Sequence, residues 1–233
     1  MDRQRLVSTQ AQQPEQDRGI IRRSLERLLG GAVVIGGAAL KWGFLFGKFF
    51  AFFVSFAAYS FWFGSWQFGL GFVLLILIHE LGHVFEARRQ GLPVSLPTFI
   101  PFIGAYVTVR HGNAPPWRSA LVSLAGPFLG GLAAAAVWAV GASKGTTWLV
   151  VLANIGFLLN AFNLLPIGFL DGGTVWRAVK DTWTRPQIRY ENGVPMEAIA
   201  PDRRRAAVLA TLYAMLAGLL VGGMLATRHS GML

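Results

Sequence analysis

The residues best equipped for chemistry stand at His79-Glu80-Leu81-Gly82-His83. On a helix, residues four apart share a face, so the two imidazoles can hold one metal ion. Glu80 lies beside them and can take a proton from a water that such an ion activates. The chain has no cysteine, which excludes thiolate metal sites and disulfides alike. Any metal must be held by His, Asp or Glu. The five-residue pattern also arises by chance in soluble helices, but its setting here is unusual. It directly follows the aliphatic run Leu74 to Ile78. An acidic residue near the bilayer interior costs roughly 2.5–3.5 kcal/mol on insertion scales, so three ionisable groups within five residues are hard to explain as ordinary core.

Two histidines do not complete a site, because a catalytic zinc usually has three protein ligands and an open position. Glu86 follows His83 by three residues, but Arg88 and Arg89 beside it offer a simpler salt-bridge role. His111, in the stretch VRHGNAPPW, reads as a solvated or polar-bonded loop residue. Asp171 is the strongest candidate. It ends an apolar segment, Pro166 breaks or kinks the helix just before it, and Gly172 and Gly173 allow a sharp turn after it. The same segment carries Asn154, Asn160 and Asn163. Asn163 stands closest to the break, where its amide could donate to a developing oxyanion. For Asn154 and Asn160, hydrogen bonding between helices is at least as good a reading.

The elements that must position these residues are membrane helices. The 233 residues are 54% hydrophobic and 14% charged, with a mean hydropathy of +0.49, against about 25% charged in soluble domains. A spanning helix needs about 20 apolar residues. Segments 46–64, 67–87, 119–142, 147–169 and 206–226 qualify. The stretch 30–40, followed by Lys41 and Lys48, reads as an interfacial or half-inserted helix or as the start of a sixth span. The stretch 97–109 holds two prolines, a glycine and several β-formers, which suit a re-entrant loop or short hairpin. The expected fold is therefore an all-α polytopic membrane protein. It has five or six transmembrane helices, with that loop or hairpin between the second and third. Residues 1–18 read as a disordered cytoplasmic tail, and they lack the early apolar core of a signal peptide. Residues 19–45 read as a basic interfacial amphipathic region. Residues 46–226 read as a single transmembrane domain with a cytoplasmic loop at 174–205, and 227–233 as a short tail.

Charge fixes an expected orientation. With the N-terminus in the cytoplasm and the five segments alternating, only Lys144 and Arg228 of the 21 basic residues fall outside. The net charge of +10 is thus a topology signal, not a sign of nucleic-acid binding. His79 lies nine positions before Arg88, roughly 13 Å below the cytoplasmic interface. Asp171 lies six before Arg177, at similar depth. Gly126–Gly130 and Gly218–Gly222 have the spacing of close-packed helices, a pattern that glycine-rich membrane helices also produce by chance.

HELGH in one membrane segment and NLLPIGFLDGG in a later one resemble the site-2 protease family of intramembrane zinc metalloproteases. The similarity runs from about Phe72 to Gly173 and includes PFIGAYV and SLAGPFLGG. The resemblance implies zinc held by His79, His83 and Asp171, catalysis by Glu80, and a role for Asn163, eight residues before the aspartate. It implies a zinc-dependent endopeptidase acting in or near transmembrane segments of membrane proteins. Its partners would be a membrane protein substrate, either a single-pass segment or a remnant peptide, and the lipid bilayer. The expected location is a bacterial or archaeal cytoplasmic membrane. No insertion is long enough for a PDZ domain and no CBS-like region is expected, so the resemblance is to a compact form. Two alternatives stay open. One is a catalytically silent scaffold of the same fold. The other is a zinc transporter, whose site would lie near the midplane and open to both sides.

Overall fold

The structure is a computed structural model that describes residues 36–37, 40–112, 114–191 and 194–229. The expected tail 1–18, most of the basic region 19–45, most of the 30–40 stretch and residues 230–233 lie outside the described residues. The chain divides into two units, Met1–Phe49 and Phe50–Leu233. Within the first, the Lys48 ammonium lies 4.9 Å over the Phe44 ring.

Among the described residues, four helices are long and apolar enough to cross a membrane: α1 (Leu40–Phe63), α2 (Trp66–Arg89), α3 (Pro116–Lys144) and α6 (Arg203–His229). The protein is an all-α polytopic membrane protein. Local signals set the helix ends. Gly64 takes a left-handed φ of 64° between α1 and α2, and the Ser65 hydroxyl accepts from the Phe68 amide to cap α2. Pro116 opens α3, and Gly145 closes it in the left-handed conformation.

The fourth expected span, 147–169, is shorter than its apolar run. α4 (Thr147–Asn163) has 17 residues, about 25 Å against a hydrocarbon core of about 30 Å. Pro166 supplies no amide hydrogen and disfavours helical geometry at Leu165, so the helix stops before the apolar residues do. Asp171 consequently does not end this segment but opens a new helix, α5 (Asp171–Thr184). The segment 174–205, where the sequence suggests a loop, contains most of α5 and an antiparallel hairpin of β3 (Gln187–Glu191) and β4 (Val194–Ile199).

The stretch 97–109 forms a second hairpin, β1 (Thr98–Ile100) and β2 (Gly104–Tyr106), with Phe99 opposite Ala105. Its turn places Phe102 at φ 66°. A non-glycine residue there costs about 1–2 kcal/mol. The Phe102 ring lies 5.9 Å from Trp62 and 6.4 Å from Tyr59 of α1, contacts that offset the strain. Phe99 and Phe52 meet edge to face at 5.2 Å.

α3 is the central element of the second unit and packs against α2, α4, α5 and α6. Small residues make this possible. Ala120 and Ala134 of α3 are buried with Phe157, Val175 and Leu209 of its neighbours. A Cβ at Gly82 would overlap the Ala125 carbonyl, so α2 and α3 touch backbone to backbone.

The link between α4 and α5 is folded tightly. A Cβ at Gly172 would overlap the Leu164 carbonyl, and one at Gly173 the Ile167 carbonyl. The Tyr213 hydroxyl of α6 donates to Leu164 O, and Arg177 donates to Gly168 O at 2.8 Å. Gly173→Ala should therefore destabilise the protein by about 1–3 kcal/mol through overpacking. Gly218→Ala, where a Cβ meets nothing within 4 Å, should be neutral or stabilising. Thermal unfolding of both variants in the same detergent checks this. An equal response would contradict the close packing described here.

Candidate metal centre

α2 projects His79, Glu80 and His83 from adjacent positions, and all three are buried, at 3%, 6% and 7% exposure. The start of α5 brings Asp171 to the same point. His79 Nε2 and His83 Nε2 are 3.1 Å apart. Asp171 Oδ2 lies 3.2 Å from the first and 3.4 Å from the second. A tetrahedral zinc with ligands at 2.0–2.1 Å separates its donors by about 3.3 Å. The three edges of this triangle therefore match a zinc ion. Among the described residues, His79, His83 and Asp171 are the group of metal-ligating side chains found together.

The second nitrogen of each imidazole is also held. His79 Nδ1 lies 2.8 Å from Asn160 Oδ1, and Asn160 Nδ2 donates to Gly156 O at 2.7 Å, which sets the amide orientation. His83 Nδ1 lies 2.8 Å from the Val122 carbonyl. Both partners are acceptors, so each Nδ1 carries the proton and each Nε2 presents a lone pair. Partners of this kind orient metal-bound histidines and raise their basicity. The resulting donor set is three electron-rich atoms within 3.4 Å, an arrangement that suits a cation at their centre.

Glycines make room for it. A Cβ at Gly126 would overlap His83 Nε2, and one at Gly130 would overlap Asn160 Oδ1. The Gly126–Gly130 spacing therefore serves the centre directly, whereas Gly218 and Gly222 meet nothing within 4 Å. Asp171 gains from its position in the first turn of α5, where the helix dipole favours a carboxylate.

The centre opens into a cavity of about 720 Å³ whose walls include Glu80, Tyr106, Val107, His111 and Asn163. The Val107 backbone faces the Glu80 carboxylate. Asn163, the last residue of α4, lines the cavity without a hydrogen bond to the triad. His111 also lines it, with Nδ1 3.1 Å from Ser119 Oγ, but is not part of the donor group. Burial pushes its pKa below the usual value, so it is neutral at pH 7. Glu86 pairs with Arg89 at 2.6 and 2.7 Å, the salt-bridge role that the sequence suggests. Asn154 ties α4 to α6 through Met224 O at 2.9 Å. Asn160 likewise joins two helices, α4 and α2, and its bond is to His79 of the metal-ligating group. The sequence signal is a single amide in an otherwise apolar turn, one helix away from a histidine that needs a partner.

Asn160→Leu should lower metal affinity about 10- to 100-fold, measured by chelator competition against the wild type. Unchanged affinity would show that the amide does not support the centre.

Residues 67–149 and 142–196 match the model of peptidase family M50, together more than half of the chain. Rip3 of Mycobacterium tuberculosis, provisionally named a zinc metalloprotease, is 34% identical over 173 residues, covering 68% of this chain and 42% of that protein. The Synechocystis protein sll0528, provisionally named likewise, is 32% identical over 49% of this chain and 32% of its own length. Stage IV sporulation protein FB of Bacillus subtilis is 33% identical over 43% of this chain and 36% of its own. The matched regions span less than half the length of each of these relatives. With both halves of the metal-ligating triangle inside the matched region, the chain belongs to peptidase family M50, the site-2 proteases.

Proposed function

We propose that this chain is a zinc-dependent intramembrane endopeptidase that cuts peptide bonds in or near transmembrane segments of membrane proteins. One observation carries the reading. Two imidazoles and a carboxylate converge with zinc-like spacing beside a buried glutamate, on the wall of a cavity bounded by membrane-length helices. Two of the relatives described above carry names that assign them to the zinc metalloproteases.

Zinc, when bound, lowers the pKa of water and polarises a peptide carbonyl. His79, His83 and Asp171 would hold it, and Asn160 and the Val122 carbonyl keep the imidazoles aligned. Glu80 accepts the proton of the attacking water and delivers it to the leaving amide nitrogen. Its burial suits this exchange, because bulk water does not compete for the proton. Asn163 faces the same cavity and donates to the carbonyl oxygen as charge develops there. Val107 and the β2 residues beside the cavity offer backbone for an extended substrate to pair with. Substrate helices must unwind before their backbone can reach Glu80. The basic residues before α1, between α2 and α3, and between α4 and α6 favour a cytoplasmic N-terminus.

Glu80→Gln should retain zinc and lose about 10²- to 10⁴-fold in cleavage of a single-pass substrate, read by metal analysis and a gel-based cleavage assay. Full cleavage by this variant would overturn the mechanism. Ala105→Pro should impair cleavage while zinc content stays unchanged, since proline withdraws a backbone donor from β2. Undiminished activity would remove strand pairing from the account.

A further inference from the structure

Tyr59 of α1 is 8% exposed and lines the same cavity as His79 and Glu80. Its ring is held on three sides. Phe72 meets it edge to face at 4.8 Å, Phe63 stacks at 6.4 Å, and Phe102 of the hairpin turn lies at 6.4 Å. None of these rings offers a conventional hydrogen bond. Among the described residues, the Tyr59 hydroxyl has no hydrogen-bond partner. Ser55 and Ser60 of the same helix also lack partners, and their oxygens are sealed inside the protein. The Tyr59 oxygen is not among those sealed atoms, and Tyr59 is a residue of the cavity wall. Buried phenols nearly always satisfy their hydroxyl, and with no partner among the described residues this one is free to bond water or a ligand in the cavity.

The spacing along α2 sets the scale of its separation from the metal-ligating residues. Phe72, which packs on Tyr59, precedes His79 by seven residues, about 10 Å along the helix. An extended peptide advances about 3.3 Å per residue, so Tyr59 sits about three substrate residues from the bond that Glu80 addresses. Ile103 to Val109 line the cavity as well and supply a continuous wall for such a peptide.

Resting on the endopeptidase reading above, we infer that Tyr59 is a specificity-determining residue whose hydroxyl reads a polar side chain about three residues from the scissile bond. The chemistry fits serine, threonine, asparagine or glutamine. A hydroxyl both donates and accepts, and a polar side chain taken out of water needs a partner. A site built to hydrogen-bond its ligand discriminates against the analogue that lacks the group, because its own polar atom is then left unpaired.

The test uses the full chain in detergent micelles and single-pass peptides carrying alanine or glutamine at each position within four residues of the cleavage site. Binding is read on Glu80→Gln, with and without Tyr59→Phe. Cleavage is read on the chain with Glu80 intact, again with and without Tyr59→Phe. Glutamine at one position about three residues from the cleavage site should raise affinity and kcat/KM about five- to tenfold over alanine. Tyr59→Phe should bring that ratio close to one, with zinc content and unfolding temperature unchanged. A ratio that survives Tyr59→Phe, or the absence of any such preference in the wild type, would overturn the inference. An equal drop for both peptides would mark Tyr59 as a packing residue and overturn it too. Should the chain bind peptides with this preference yet cleave none, the subsite would stand and the endopeptidase reading would fall.

Discussion

Two imidazole nitrogens and a carboxylate oxygen held within 3.4 Å of one another inside a hydrophobic protein are the constraint on which the rest depends. Their lone pairs repel unless a positive charge sits between them, and their burial leaves little solvent to screen the repulsion. The surrounding structure is organised around forcing this approach. Acceptors on Nδ1 turn each Nε2 inward. The break at Pro166 and the folded link before α5 deliver the carboxylate from a separate helix. α3, running through the middle of the second unit, gives up side-chain volume where these groups need space.

That trade explains why glycine recurs beside the centre. Gly82 brings backbone against backbone, Gly126 meets the His83 ring and Gly130 the Asn160 amide, and Gly172 and Gly173 let the α5 start fold over the end of α4. A Cβ at any of these points would overlap a neighbouring atom, and at Gly126 that atom is His83 Nε2 itself. The aromatic residues take a complementary role. Phe52, Tyr59, Phe72, Phe99 and Phe102 join α1, α2 and the first hairpin into one apolar cluster, and Tyr59 and Phe72 of it line the cavity. Glu80, the proposed proton carrier, is itself buried, which limits competing water.

Much of this was legible in the sequence because its signals are local. The i, i+4 histidines, the adjacent glutamate and the aliphatic run before them specify a helix and its reactive face together. Asp171 was reachable through the neighbouring proline and glycines and through its distance from Arg177. Hydropathy misjudged the fourth apolar segment, because Leu164 to Leu170 are apolar whether helical or not, and only Pro166 marks the true end of α4. The β3–β4 hairpin carried a signal that the loop reading passed over, the Asn192-Gly193 pair between two runs of strand-forming residues. The Val122 carbonyl was beyond sequence reasoning, since a backbone atom has no residue type to betray it. Asn160 and the Gly126–Gly130 pair were visible as residues but not as neighbours of the histidines. That knowledge needs the relative placement of α2, α3 and α4.

The most direct test of the account is X-ray absorption at the zinc edge on the purified chain and on Asp171→Ala. The account predicts one zinc per chain, with two imidazole nitrogens and a carboxylate oxygen at about 2.0–2.1 Å, and loss or rearrangement of that shell in the variant. A chain that binds no zinc, or a coordination shell that is identical in Asp171→Ala, would contradict it.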